Sequence, residues 1–276
     1  MSGEAKLSER VLQVVTWTAA IVTMSVLLFV VGFILVKGLP YIKPSLFAFK
    51  YTSLNASLTP ALISTVIMTL LSLLIAAPIG VFAATWLNEY ARRGNKIVMV
   101  VRVTAETLAG IPSIVYGLFG MLFFVTFLHW GYSVLAGAFT LSIMILPLTL
   151  RSTEEALASV PDTLREGAFG LGAGRLRTVF RVVMPAAAPG ILAGVILSIG
   201  RIVGETAALV YTAGTVAQVP INPAQSARTL SVHMYLLSSE GLHMGEGYAT
   251  AVILLLVVIL INSASAWAAK RIGVKK

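Results

Sequence analysis

Two residues of opposite charge, Arg201 and Glu205, stand in a stretch that is otherwise apolar. Their four-residue spacing predicts that they share one face of a helix, where they can form an ion pair. Ser198 and Gly194 extend the same face. An ionised side chain inside a membrane helix costs at least about 2.5–3.5 kcal/mol, and it commonly marks a pathway. The pattern therefore predicts either a structural ion pair or a polar path in which Arg201 and Glu205 take part in transport or gating.

A second polar face is expected between residues 105 and 128. Small and polar residues recur there at helical spacing, namely Glu106, Gly110, Ser113, Gly117 and Gly120. We expect Glu106 and Ser113 to line the same path as Arg201. Because Glu106 lies one helical turn after Arg102, an ion pair between these two residues is the alternative.

Other kinds of chemistry have little support in the sequence. The chain has no cysteine and three scattered histidines, His129, His233 and His243, so we expect no metal site. A glycine-rich loop ending in Gly-Lys-Ser or Gly-Lys-Thr, which would bind a nucleotide, is also missing. We therefore expect no cofactor on this chain, and if transport is active its energy must come from a partner subunit or from an ion gradient.

The composition is that of a membrane protein. Of 276 residues, 58% are hydrophobic and 11% are charged, against about 25% charged in soluble domains. Six stretches reach the length of about 20 apolar residues that a span requires: Leu12–Val36, Leu58–Leu87, Ala105–Leu128, Gly131–Leu150, Pro189–Tyr211 and Tyr248–Ala269. The sequence predicts an all-α polytopic protein with six transmembrane helices in the lipid bilayer.

The basic residues predict the orientation. The net charge is +9, but Lys and Arg alternate with apolar stretches and do not form one solvated face, so nucleic-acid binding is not expected. Of the 20 basic residues, 15 fall on the side of both termini, 4 on the other side, and Arg201 lies within a span. This bias places both termini in the cytoplasm. We divide the chain into an N-terminal segment, 1–57, and a core, 58–276, that contains the long cytoplasmic loop 151–186.

That loop is predicted to be helical. Thr163 and Glu166 have the spacing of a capping box at the start of a helix. Glycine readily adopts the left-handed conformation that ends helices, so the helix should end near Gly170 or Gly172. A second helix, with an apolar stripe, should follow and end before Pro185.

The loop resembles the Glu-Ala-Ala signature of bacterial ABC importer permeases. Glu166, Gly167, Ala168, Gly172 and Pro185 stand at its spacing, with glycine in place of the first alanine. The resemblance implies the type I ABC importer permease fold, in which a short coupling helix docks on an ATPase subunit. We expect the ATPase-coupling residues to be Thr163, Arg165, Glu166, Gly167, Ala168, Gly172 and Pro185.

Two further segments are similar to the phosphate importer permeases. Residues 112–120 read Pro-Ser-Ile-Val-Tyr-Gly-Leu-Phe-Gly, and residues 201–209 read Arg-Ile-Val-Gly-Glu-Thr-Ala-Ala-Leu, with Ala208 where that family has proline. The resemblance is strongest to the PstA-type subunits, and it implies that Arg201 is essential for phosphate passage, with Glu205 in the same site. It also implies a bacterial inner-membrane complex with a homologous PstC-type permease subunit, an ATPase dimer docked on 161–186 and a periplasmic phosphate-binding protein.

Three alternatives remain open from the residues. A permease for another oxyanion, such as sulfate or molybdate, would need the same kind of cation. An ion-coupled secondary carrier would use Arg201, Glu205 and Glu106 as a proton relay, but no inverted repeat is visible. A structural membrane scaffold would leave the cost of Arg201 unexplained.

Overall fold

The computed structural model of this chain consists of helices joined by turns and loops, the longest of which lies between Thr212 and Leu230. It describes residues 2–92, 94–241 and 243–273. In chain order the α-helices are α1 (Ser2–Gly38), α2 (Thr59–Thr85), α3 (Lys96–Ala109), α4 (Ser113–Gly120), α5 (Val134–Ala158), α6 (Asp162–Gly170), α7 (Arg175–Thr178), α8 (Met184–Gly204), α9 (Ala207–Thr212), α10 (Leu230–Glu240) and α11 (Met244–Gly273). Two 3-10 helices follow α1, at Leu39–Tyr41 and Pro44–Phe47. The described residues include no β-strand, and the all-α class is confirmed.

Among the described residues, five helical stretches are long and apolar enough to cross a membrane. They are Glu9–Tyr41, Thr59–Tyr90, Val134–Ala158, Arg175–Gly204 and Met244–Ala264. Each overlaps one predicted span. The remaining predicted span corresponds to two helical pieces, Lys96–Ala109 and Ser113–Phe127, which are bent by 102° relative to each other. The six predicted spans therefore become five continuous helices and one broken one.

The break in the third predicted span lies at residues 110–112. Pro112 has φ −59° and ψ 141°, which is not helical. Proline has no amide N–H, and its ring disfavours a helical conformation in the residue before it. The prediction that Glu106 and Ser113 share one helical face is therefore wrong.

The prediction that the second loop helix ends before Pro185 is wrong. α7 continues through a π-helical turn, Val179–Val183, into α8. Proline lacks an amide donor and crowds the carbonyl four residues earlier, and a local shift of the hydrogen-bond pattern accommodates it. The loop helix and the fifth span thus form one stretch, Arg175–Gly204.

Glycines set the close contact between α8 and α5. A Cβ atom added to Gly190 or Gly194 would collide with α5, and at Gly194 the obstacle is Ser152. Small residues four apart on a helix allow such close packing. At Gly200 and Gly204 no described residue comes within 4 Å of an added Cβ atom, so these two glycines make no such contact within the described chain.

α1 lies at the edge of the bundle against α11. The Phe33 and Tyr248 rings meet edge to face with centroids 5.9 Å apart. Most other large apolar side chains of α1 are exposed, with Leu12 at 68%. In a bilayer such a surface contacts lipid or another apolar helix. The division into 1–57 and 58–276 stays a prediction.

Candidate functional site

The loop after α5 presents a short helix, α6, at one end of the bundle. Gly172 has φ +80°, in the left-handed region that favours glycine, and this confirms the predicted end of the helix. The predicted capping box is wrong. α6 begins at Asp162, Pro161 occupies the cap position, and no side-chain hydrogen bond caps the helix. Thr163 therefore lies inside the first turn, where its hydroxyl cannot serve as the cap.

The outer side of α6 is an accessible, partly apolar surface. A groove of ≈ 670 Å³ runs between α6 and α7, and its lining includes Thr163, Gly167, Ala168 and Arg181. Leu171, at one end of the groove, is 91% exposed. A helix this short is unstable alone in water and needs a surface to pack on. The arrangement is suited to docking on another protein.

Arg165 points away from this groove and into the protein. Its Nη2 and Nε donate to the two carboxylate oxygens of Glu89 at 2.7 and 3.3 Å. It also donates to the carbonyls of Leu157 and Val160 at 2.9 and 2.7 Å. The hydrogen bond to Glu89 raises the pKa of Arg165 above its ordinary value. Arg165 thus ties α6 to the π-helical turn Trp86–Tyr90 that follows α2, and its expected role in ATPase coupling stays a prediction.

A cleft of ≈ 1180 Å³ opens at the same end of the bundle, and Arg201 lies on its wall. The antiparallel packing of α8 on α5 shows how far Arg201 lies from the mouth of the cleft. Ser198, one turn before Arg201, shares a 3.2 Å hydrogen bond with Thr149 of α5. Arg201 is therefore level with about the middle of α5. Among the described residues no carboxylate lies within ion-pair distance of its guanidinium.

The predicted Arg201–Glu205 pair is wrong. α8 ends at Gly204, and Glu205 has an extended backbone with ψ 129°. The buried Glu205 carboxylate accepts a 3.1 Å hydrogen bond from the Ala208 amide, so it caps α9. Such local bonding of a side chain to the backbone competes with a continuing helix. The two charges therefore do not share one helical face.

Ion pairs cross the cleft wall between α3 and α5. Arg102 pairs with Glu154 at 3.0 Å, and Arg151 lies 3.9 Å from Glu106. The alternative pairing of Glu106 with Arg102 is thus wrong, because both side chains reach across to α5. Pairs with exposed partners contribute about 0–1 kcal/mol, so they can open readily.

The five predicted path residues separate into two groups. Arg201 and Glu106 line the cleft. Ser113, Ser198 and Glu205 lie outside the lining, and Ser198 is fully buried against α5. Within the described part of the chain, no group of three or more His, Cys, Asp or Glu residues could hold a metal ion. A role in transport for any of these five residues stays a prediction.

Comparison with known proteins places this architecture in a family. Residues 76–274 match the family described as binding-protein-dependent transport system inner membrane component, which covers well over half of the chain. The chain belongs to this family. It is therefore a multi-pass inner-membrane permease, as the apolar helices also indicate.

Relatives of this chain include a probable ABC transporter permease protein and phosphate transport system permease proteins. The probable ABC transporter permease protein YqgI of Bacillus subtilis is 32% identical over 90% of this chain and 90% of its own length. The phosphate transport system permease protein PstA of Pasteurella multocida is 35% identical over 78% of this chain and 81% of its own.

Solved structures of ABC importers share the fold of this inner membrane component. A bacterial alginate ABC transporter, in complex with an alginate pentasaccharide-bound periplasmic protein, matches 99% of each chain with TM-score 0.71 and 16% identity. An inward-facing MetNI methionine ABC transporter matches 78% of this chain and 94% of its own with TM-score 0.60 and 20% identity. The type I ABC importer permease fold is confirmed.

Sequence reasoning about this inner membrane component missed Glu89. Its partner Arg165 stands 76 positions later, and no local spacing connects them. The only signal was a single carboxylate just beyond an apolar stretch, Leu58–Leu87.

Proposed function

We propose that this chain is the transmembrane permease subunit of an ATP-driven phosphate importer. The observation that carries the proposal is Arg201, which lies on the wall of a cleft that reaches the middle of the bundle and has no carboxylate partner within the described part of the chain. Relatives named phosphate transport system permease protein PstA are 34–39% identical to the chain. Their name and the chemistry of the cleft favour the same substrate class.

The chemistry of one arginine suits a phosphate path. A guanidinium offers parallel N–H donors that match two phosphate oxygens, and it stays charged at any physiological pH. A single contact of this kind attracts the anion without binding it too tightly for release. The neighbouring Arg102 and Arg151 are paired with carboxylates, whereas among the described residues no carboxylate is paired with Arg201, so its charge stays available to the anion.

The remaining partners follow from the same proposal. A homologous PstC-type permease subunit completes the path, and an ATPase dimer docks on the loop 161–186 at the groove beside α6. A periplasmic phosphate-binding protein delivers the anion at the other end. The chain holds no cofactor of its own, because ATP is hydrolysed on the ATPase subunits.

The experiment is uptake by the complete complex. The chain is expressed with its genomically adjacent subunits, and radiolabelled phosphate and sulfate uptake are measured in proteoliposomes. Arg201→Gln should lower phosphate uptake by more than about tenfold, or 1.4 kcal/mol, while the subunits still co-purify. Arg201→Lys should keep part of the uptake. Arg92→Gln, which removes an exposed charge at the edge of the same cleft, is the matched control and should change uptake little.

The outcomes separate the candidate functions. Uptake of sulfate or molybdate in place of phosphate would support the other oxyanion permeases. Purification without an ATPase subunit, with uptake driven by a proton gradient, would support a secondary carrier. Normal phosphate uptake by Arg201→Gln would remove the basis of the proposed path.

A further inference from the structure

The π-helical turn at the end of α2 is held from two sides by the loop that contains α6 and α7. Arg165 of α6 donates two hydrogen bonds to the Glu89 carboxylate. Arg175 of α7 donates to the Glu89 backbone carbonyl, and its guanidinium lies 5.2 Å from the centroid of the Tyr90 ring. Both helices of the loop therefore contact Glu89, and α7 also contacts Tyr90, in the turn that follows α2.

The central contact is buried and bidentate. The Arg165 and Glu89 side chains are 14% and 9% exposed, in contrast to the 61% and 68% of the Arg151–Glu155 pair. Removing one partner of a buried pair leaves an uncompensated charge, so the contact resists separation. Two parallel N–H donors on one carboxylate also fix the relative orientation of the two groups.

The other end of α2 contacts the opposite face of the bundle. The Thr65 hydroxyl of α2 accepts a 2.8 Å hydrogen bond from the amide of Leu230, the first residue of α10. Both residues are buried. A displacement of α2 along its length at Glu89 would therefore reach α10.

We infer that Glu89 is a positioning residue that makes α2 move with the α6–α7 loop during the ATP cycle. This inference rests on the proposed function, because it assumes that an ATPase moves the loop. α8, which continues from α7, is one route from the loop into the membrane. The Glu89 contact adds α2 as a second route, so the two helices on either side of α5 shift together.

The first test measures coupling in the complete complex. Glu89→Gln keeps the size of the side chain but removes the charge that pairs with Arg165. We expect the subunits to co-purify and ATP hydrolysis to continue, while the phosphate imported per ATP falls by about tenfold, within the usual range of coupling effects. Glu89→Asp should recover part of this ratio. As the control, Glu155→Gln removes a carboxylate from an exposed pair outside the docking loop (Glu155 is 68% exposed) and should leave the ratio unchanged.

A double variant separates this pair from a general loss of stability. If Glu89 acts through Arg165, Glu89→Gln combined with Arg165→Met should import no less phosphate per ATP than Glu89→Gln alone. An unchanged ratio in Glu89→Gln, or fully additive losses in the double variant, would overturn the inference.

A distance measurement tests the movement without reference to the substrate. Spin labels are placed on cysteines at Gly174 in the loop and at the exposed Phe82 of α2, and for comparison at Gly174 and the exposed Leu256 of α11. With and without ATP, the 174–82 distance should stay constant while the 174–256 distance changes. A 174–82 distance that changes as much as the comparison pair overturns the inference. Failure of phosphate uptake in the unmodified complex would instead reject the proposed function. The two label distances would still show whether α2 moves with the loop.

Discussion

At the scale of single residues, polar side chains in this protein bond to the backbone more often than to each other. Glu205 caps α9 through the Ala208 amide, and Ser198 donates to the Gly194 carbonyl at 3.0 Å. Buried polar groups need partners, and the nearest backbone group supplies one. Arg201 differs because it faces a cleft and not the backbone of a neighbouring helix.

His233 is another buried group, and it gives a prediction on pH. Its ring is fully buried, Nε2 lies 3.2 Å from the Ala56 carbonyl, and burial together with the Arg228 charge lowers the pKa of His233 to about 3. The folded protein thus keeps this histidine neutral, whereas the unfolded chain takes up a proton below the ordinary pKa of 6.5. The stability that His233 contributes is present above pH 6.5 and is lost as the pH falls toward 3.

We expect the free energy of unfolding to fall by about 1.4 kcal/mol per pH unit in this window through His233 alone. His233→Gln keeps a donor for the Ala56 carbonyl but does not titrate, so its stability should change less between pH 7 and pH 5.5. The measurement is the thermal unfolding midpoint of the purified complex at both pH values. His243→Gln is the control, and an equal flattening in both variants would contradict the assignment to His233.

At the scale of elements, the end of α6 depends on one backbone conformation. Gly172 has φ +80°, and a Cβ built there meets no described atom within 4 Å. A substitution is therefore opposed by backbone strain and not by a clash. A β-branched residue resists this region most strongly.

We predict that Gly172→Val weakens ATPase docking without affecting membrane insertion, because the strain, on the order of 1–3 kcal/mol, displaces the end of α6. Gly170→Ala is the matched control, since Gly170 lies in the helix with open space around it. The measurement is the amount of ATPase subunit that remains bound to the permease after purification. Full retention and normal transport in Gly172→Val would mean that this part of the loop does not dock.

The helices were predictable from the sequence where neighbouring residues alone carry the signal. Long apolar runs identified the spans because a bilayer-crossing helix needs length and apolar character. Prolines were harder, since Pro78 and Pro147 lie inside α2 and α5 whereas Pro112 ends up at a break. Neighbouring helices decide whether the freed carbonyl is satisfied, and a single sequence does not show those neighbours.

In the candidate site too, single residues were predictable from the sequence but their partners were not. Arg201 was predictable because a charge in an apolar stretch is conspicuous. Its assumed pairing with Glu205 required a continuous helix that breaks at Gly204. The Arg165–Glu89 contact joins residues far apart in the chain, so only the folded structure brings them together.

At the scale of the whole molecule, charged residues gather at the two opposite ends of the helices. One end carries Arg102, Arg151, Arg165 and Arg175 with their carboxylate and aromatic partners. The other end carries Arg228, whose guanidinium lies 4.4 Å from the centroid of the Tyr51 ring. The helices between them are largely apolar at their surfaces, as a bilayer requires.

The last prediction is the direction in which this molecule crosses the membrane. Because the predicted topology assigns 15 of the 20 basic residues to the side of the loop and the termini, the positive-inside rule places that side in the cytoplasm. The chain has no native cysteine, so single cysteines report position directly. We expect Lys43→Cys, which is exposed beyond α1, to react with a membrane-impermeant maleimide in cells whose outer membrane alone is opened. Arg92→Cys, exposed after α2, should react only once the inner membrane is permeabilised.

Ser198→Cys, at a fully buried position, should stay unlabelled under either condition and controls for non-specific access. Lys276, which the topology also places in the cytoplasm, lies outside the described residues, and the buried His233 is unsuitable for labelling. If Lys43→Cys reacts only after the inner membrane is opened while Arg92→Cys reacts before, the chain is inserted the other way, and the groove beside α6 faces away from any cytoplasmic ATPase.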